Sequence, residues 1–113
     1  MRYNMKNTNN KLLKNSREKI DILLSFGASE ELDTSLDKLI TFQIAKYNNN
    51  INHIRYELER FETKYQMASE EFFNKFEAGT LGDNADYFEW VGLYENVLLY
   101  KQRIKSLESA LKK

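Results

Sequence analysis

The sequence contains no cysteine and no proline, and its 113 residues include only four glycines and one histidine. Without cysteine the chain has no disulfide framework, no thiolate metal site and no thiol nucleophile. Few points interrupt a helix, because proline is absent and glycine occurs only at positions 27, 79, 82 and 92. The composition therefore favours a single domain built from long helices.

Long apolar runs are absent as well. No segment approaches the roughly 20 apolar residues that a membrane-spanning helix needs. The first residues, MRYNMKNTNNK, are polar and lack the apolar stretch of a secretory signal. We therefore expect a cytoplasmic protein with no membrane segment.

The sequence carries no recognisable catalytic motif. No glycine-rich phosphate loop follows a strand pattern, and no serine, histidine and acid form a convincing nucleophilic set. The many carboxylates lack the Glu-x-x-His pairs of carboxylate-bridged metal bundles. His53 is the only histidine, and the helical register described next places it toward solvent. We expect no enzymatic activity, no metal site and no cofactor.

Two stretches of nearly equal length show the apolar spacing of long helices. In each, apolar residues recur in alternating steps of four and three, which is the heptad pattern of a coiled-coil seam. The spacing predicts one helix over 34–65 and another over 84–111. The seam of the first helix consists of Ile40, Ile44, Tyr47, Ile51, Ile54, Leu58, Phe61 and Tyr65. The seam of the second consists of Trp90, Leu93, Val97, Tyr100, Ile104, Leu107 and Leu111.

The link between the long helices is rich in aromatic residues, and we name residues 65–90 the aromatic head. A short helix is predicted over 69–78, with Ser69 as its N-cap and acidic residues in its first turn. Gly79 ends this helix. Asp83 is predicted to cap the second long helix.

The N-terminal part is predicted to contain one further helix and a polar arm. The helix covers 11–26 and ends just before Gly27, the usual position for glycine past a helix C-terminus. Ser29 is predicted to cap one short turn, SEEL. Residues 1–10 are expected to be disordered, because they bury too little apolar surface to offset the ordering entropy. Residues 11–113 are then one helical domain.

Two rods joined by a compact link predict an all-α fold, a long antiparallel hairpin resembling a coiled coil. The short aromatic helix would lie in the link. A bare two-helix hairpin of this size buries little core, so we expect two copies to form a helical bundle. A second apolar row on the second long helix, Tyr87, Val91, Tyr94 and Leu98, points to cover on more than one side.

Charge is unevenly distributed along a chain whose net charge is zero. Residues 1–25 carry six cations and two carboxylates, a net +4, whereas residues 69–95 carry one cation and seven carboxylates, a net −6. The last eighteen residues return to +4. Such polarity either steers a charged partner or stabilises pairing between copies of the chain.

The aromatic head has two interpretations. In the first, its rings are simply the core of the link. In the second, part of the cluster is a docking surface for a basic partner, because aromatic side chains anchor interfaces and an acidic rim speeds encounter. The candidate partner-binding residues are Phe72, Phe76, Glu77, Asp83, Asp86, Phe88, Glu89 and Trp90.

The basic arm also has two interpretations. Its cations are either those of a plain flexible tail or contacts to nucleic-acid phosphates. The candidate nucleic-acid residues are Arg2, Lys6, Lys11 and Lys14. No helix-turn-helix or strand-led recognition motif accompanies them.

The aromatic head also carries a resemblance to a known group of proteins. Its segments YQMASEEF (65–72), FEAGTLGD (76–83) and DYFEW (86–90) resemble a signature, Y-x-M-S-x-E-E-F, F-E-x-G-x-L-G-D and D-x-F-E-W, found in small archaeal and bacterial helical proteins. Members are described as antitoxin components of toxin–antitoxin pairs. The resemblance covers roughly residues 34–110 and implies a non-catalytic protein that neutralises a toxin by binding it.

Three functional hypotheses follow. The first is an antitoxin-like homodimer that binds a cognate toxin. The second is a structural coiled-coil dimer that acts as an adaptor. The third is a nucleic-acid binder that acts through the basic arm, whose binding would be sensitive to salt.

Overall fold

The computed structural model describes the backbone of residues 2–111 and the side chains of residues 10–111. Over this range the chain forms four helices and no strand. They are α1 (Arg2–Ser25), α2 (Ser29–Tyr65), α3 (Ser69–Glu77) and α4 (Ala85–Leu111). The all-α prediction is confirmed.

The chain divides into two compact units, Met1–Leu39 and Ile40–Lys113, which we call the first and second unit. The division falls inside α2. The second unit is an antiparallel hairpin of α2 and α4 with α3 in the link. The Tyr47 and Tyr100 rings lie 5.3 Å apart between centroids, and Phe61 and Trp90 lie 5.6 Å apart. Residue numbers therefore rise along α2 as they fall along α4, which confirms the predicted hairpin.

The core of the second unit follows the two predicted seams. Every seam residue of α2 and α4 is buried or partly buried. The buried apolar residues concentrate at the linked end of the hairpin, and they are Ile51, Leu58, Phe61, Phe72, Trp90, Val91 and Val97. His53 is exposed, as its register indicated.

The first unit has no comparable core. Among its residues with described side chains, 10–39, none is buried, and only Ile20, Ala28 and Leu32 are partly buried. A hydrogen-bonded turn joins α1 to α2: the N–H of Ala28 donates to the carbonyl of Leu23 at 3.0 Å. Gly27 in this turn has φ of 82°, a conformation that favours glycine.

The N-terminal boundaries differ from the sequence-based prediction. The backbone of residues 2–10, predicted to be disordered, continues α1 back to Arg2. Neither proline nor glycine precedes Gly27, and each residue added to a formed helix gains a hydrogen bond. Likewise α2 begins at Ser29 rather than Thr34, so SEEL is its first turn, with Glu30 and Glu31 placed favourably for the helix dipole.

The predicted caps in the link are also corrected. Ala68, with an extended backbone (φ −67°, ψ 148°), occupies the N-cap position of α3, and no side chain caps this helix. Ser69 is instead its first helical residue. At α4 the cap is Asn84 rather than Asp83, because the Asn84 Oδ1 accepts the backbone N–H of Asp86 at 2.9 Å. Asparagine and aspartate cap helices equally well, so composition could not separate them.

Candidate protein-interaction surfaces

The centre of the aromatic head is a stack of rings. Phe72 and Trp90 are both 0% exposed, and their rings lie parallel, 3.8 Å apart between centroids and tilted by 3°. Phe61 and Tyr65 of α2 stack on Trp90 at 5.6 and 5.7 Å. Stacked aromatic rings stabilise the folded state by more than the burial of their apolar area alone. This stack joins α2, α3 and α4 and is the core of the head.

A buried serine accepts the indole N–H of the stack. The Trp90 indole Nε1–H donates to Ser69 Oγ at 2.9 Å, and the Ser69 backbone N–H donates to Glu62 Oε2 at 2.9 Å. Ser69 itself is 4% exposed. A carboxylate from α2 thus holds the start of α3, which compensates for the missing side-chain cap.

The burial corrects two candidate partner-binding residues. Phe72 and Trp90 lie inside the core, so a partner cannot reach either ring without unfolding the head. Phe72 and Trp90 are therefore core residues of the link, as in the first interpretation of the aromatic head.

Asp86 belongs to a polar clasp between the end of α2 and the start of α4. Its Oδ2 accepts the Tyr65 hydroxyl at 2.6 Å and the Lys64 ammonium at 2.7 Å. Asn84 Nδ2 donates to the Tyr65 hydroxyl oxygen at 3.1 Å. The Lys64 hydrogen bond, and then that of Tyr65, lowers the pKa of Asp86, while Asp86 raises the pKa of both Lys64 and Tyr65. Asp86 therefore closes the hairpin and is already engaged.

The hydrogen bonds of Asp86 in the clasp predict that the folded protein loses stability in acid. Because the pKa of Asp86 is lower in the folded protein than its ordinary value of 3.8, its stabilisation is present above that pH and is lost as pH falls through the lowered pKa. We expect Asp86→Asn to be less stable than wild type at neutral pH and to lose less stability between pH 5 and pH 2. Urea denaturation across this range measures both effects.

Asp83→Asn, at an exposed position three residues earlier, serves as the control and should follow the wild-type profile. An Asp86→Asn variant with the wild-type acid profile would show that the clasp contributes nothing to stability.

The remaining candidate residues are exposed, except Phe76, which is partly buried. Phe88 is 58% exposed, and Phe76 packs edge-on against it with 5.9 Å between ring centroids. Glu77, Asp83 and Glu89 are exposed. We name these five residues the Phe88 patch. Phe76 thus supports one side of the Phe88 ring, which is otherwise mostly exposed.

The candidate nucleic-acid residues lie on α1. Lys11 and Lys14 are exposed, whereas the side chains of Arg2 and Lys6 lie outside the described residues. No aromatic platform stands beside Lys11 or Lys14 in the described sequence of α1, where the surrounding exposed side chains are aliphatic or polar. The structure adds no base-reading geometry to these cations.

Sequence reasoning missed a large exposed apolar surface in the first unit. Its members range from 39% to 82% exposed, and they are Leu12, Leu13, Ile22, Leu23, Leu24, Phe26, Leu36 and Leu39. Their helical spacing was visible in the sequence, but spacing cannot tell whether a face is covered.

The open end of the hairpin carries a shallow groove. Its volume is about 430 Å³, and it is lined by Gln43, Tyr47, Leu99, Gln102, Arg103, Ser106 and Leu107. The Arg103 guanidinium donates to the Tyr47 hydroxyl at 3.3 Å. Within the described part of the chain, no group of three or more acidic or histidine side chains could hold a metal ion.

Comparisons with known proteins supply no relative. No family model, no curated protein and no solved structure matches the chain. Among residues 2–111, no helix is both long enough and apolar enough to cross a membrane.

Proposed function

We propose that the protein is a cytoplasmic, non-catalytic binding module that acts as an antitoxin and neutralises a cognate toxin by forming a complex with it. The observation that carries this proposal is the Phe88 patch. Phe88 is 58% exposed although the neighbouring rings of the head are packed. Open aromatic rings of this kind are favoured anchors at protein interfaces. The antitoxin character comes from the resemblance of the head sequence.

The charge of the head supports a basic partner. Residues 69–95 carry a net charge of −6. Among the carboxylates of residues 83–89, all of which the structure describes, only Asp86 forms an ion pair. Exposed carboxylates around an apolar anchor accelerate encounter and exclude acidic partners. We propose that a basic toxin surface covers Phe88 and pairs with Glu77, Asp83 and Glu89.

We also propose that the protein is a homodimer. The exposed apolar side chains of the first unit are the support, because many large apolar side chains left exposed on a small protein favour association. A second copy of the chain is present at the same concentration as the first and can cover these side chains.

A structural role as a coiled-coil adaptor is the second candidate. The observation that favours it is the unbroken placement of heptad residues along the interior of the hairpin. An adaptor of this kind needs no toxin, so a single experiment separates the two candidates.

That experiment is co-expression of the tagged protein with the product of its neighbouring gene. We expect a stable complex on purification and relief of growth inhibition. Phe88→Lys should weaken the complex at least tenfold, or about 1.4 kcal/mol, because it replaces the apolar anchor by a cation that the basic toxin surface repels. Affinity is measured by titration calorimetry on the purified components.

Tyr56→Lys is the matched control, since Tyr56 lies on α2 and is 71% exposed. It should bind the toxin as wild type does. Absence of any complex or growth rescue with wild-type protein would overturn the antitoxin proposal in favour of the adaptor. Equal binding by Phe88→Lys would remove the patch from the interface.

A further inference from the structure

The apolar surface of α1 forms one face of the helix. Leu13, Ile20 and Leu24 are spaced by seven and four residues, and therefore lie on the same side. Leu12 and Leu23, eleven residues or three turns apart, extend this face. Leu12 is 59% exposed and Leu24 is 46% exposed. We name these five residues the α1 face.

The start of α2 presents a similar face. Leu32, Leu36 and Leu39 follow one another in steps of four and three. Leu36 is 39% exposed and Leu39 is 54% exposed. We name these three residues the α2 face. Both faces belong to the first unit, yet neither covers the other.

Cations border the α1 face. Arg17 lies four residues after Leu13, and Lys19 lies four residues before Leu23, so each occupies one edge of the face. Both are exposed. Residues 10–25 carry four cations and two carboxylates, a net +2.

Carboxylates border the α2 face. Asp33 and Asp37 are four residues apart and form a row along one edge, three residues before Leu36 and Ile40 respectively. Both are exposed. Residues 29–39 carry four carboxylates and one lysine, a net −3. The two faces are thus apolar at the centre and opposite in charge at the edge.

The turn between the helices explains why a single chain leaves both faces open. The backbone N–H groups of Phe26, Gly27 and Ala28 all donate to carbonyls in the last turn of α1, at 3.0 to 3.2 Å. The N–H of Leu32 in turn donates to the Ala28 carbonyl at 3.0 Å. These backbone N–H groups of the turn are therefore hydrogen-bonded while the two faces are exposed.

We propose that a second copy of the chain covers both faces, and that two copies exchange their faces. The α1 face of one copy packs on the α2 face of the other, with Arg17 and Lys19 beside Asp33 and Asp37. The reciprocal contact is identical, so the assembly closes with twofold symmetry and leaves no further site open. This inference rests on the proposed homodimer and is independent of the toxin.

Paired charge reversals test the exchange. One variant carries Arg17→Glu and Lys19→Glu, and the other carries Asp33→Lys and Asp37→Lys. In a dimer of either variant alone, the charges beside each α1 face meet charges of the same sign beside the α2 face. We therefore expect the dimer dissociation constant to rise at least tenfold. In an equimolar mixture both contacts join opposite charges, and a heterodimer should form with near wild-type affinity. Light scattering and sedimentation over a dilution series measure the masses.

A matched control reverses two exposed lysines in the second unit, Lys101→Glu and Lys105→Glu, and should dimerise as wild type does. Trp90 is the only tryptophan and lies in the core of the second unit, so its fluorescence verifies folding without reporting on the charged positions. Far-UV circular dichroism verifies helix content.

Each outcome decides a different claim. A wild-type monomer at all concentrations would overturn both the homodimer and the exchange. A wild-type dimer whose affinity is unchanged by the reversals, or variants that are not rescued by mixing, would overturn the exchange and leave dimerisation to another surface. None of these measurements contains a toxin, so their failure is separate from failure of the antitoxin proposal.

Discussion

Replacement of Trp90 by alanine is expected to cost about 3–5 kcal/mol of folding free energy, the range for removal of a buried large aromatic side chain. Trp90 is 0% exposed and contacts rings from α2 and α3 at once. Proteins of this size are stable by about 5–15 kcal/mol in total. The variant should therefore be partly or fully unfolded at 37 °C. Urea denaturation followed by circular dichroism measures the loss.

Tyr56→Ala, at a 71% exposed position of α2, provides the comparison and should change stability by about 0.5 kcal/mol or less. A loss below about 1 kcal/mol for Trp90→Ala, within the range of ordinary substitutions, would mean that the ring stack does not hold the hairpin together.

The second large effect is expected at Ser69. Ser69→Ala removes the acceptor of the Trp90 indole N–H, in a place where water cannot replace it because Ser69 is only 4% exposed. An unsatisfied buried donor costs about 1–3 kcal/mol. We expect a loss of this size, together with a changed Trp90 emission spectrum, since the indole loses its hydrogen bond. Urea denaturation followed by fluorescence measures both.

Ser35→Ala separates this effect from helix propensity, because Ser35 is an exposed serine within α2. Alanine is the better helix former, so this control should be neutral or slightly stabilising. Equal stability of the two variants would show that the Ser69 hydroxyl contributes little.

The hairpin could be predicted from sequence because its determinant is local and repetitive. Seven or eight apolar residues per helix, in steps of three and four, define one face of each rod, and those residues do line the interior. Helix ends were harder to predict. Ser69 looked like a cap by residue type, but its hydroxyl accepts from Trp90, which is distant in the sequence.

The end of α2 shows a second limit of sequence reasoning. The helix stops at Tyr65, and Gln66 adopts a left-handed φ of 51° without being glycine. Its side-chain amide donates to the Thr63 carbonyl at 2.7 Å, which secures the end of the helix. Residue type gave no signal, since asparagine and glycine are the usual residues at this position.

In the head, the position of a residue in the heptad pattern predicted its burial better than its aromatic character did. Trp90 belongs to the α4 seam and is buried, whereas Phe88 lies outside the seam and is exposed. Grouping both as candidate contacts ignored this difference. The exposed faces of the first unit were beyond sequence reasoning for another reason, because whether a face is covered depends on tertiary packing rather than on spacing.

The absence of a buried residue among residues 10–39 has a consequence for how the chain folds. Helices without tertiary burial are marginal in water, so the proposed dimer would give this part most of its order. Dilution of that dimer should then lower the protection of this part against amide exchange and proteolysis by mass action, while the hairpin keeps its own intramolecular stability. If the dimer forms, the stability of the N-terminal part of α2 depends on protein concentration, whereas that of its C-terminal part does not.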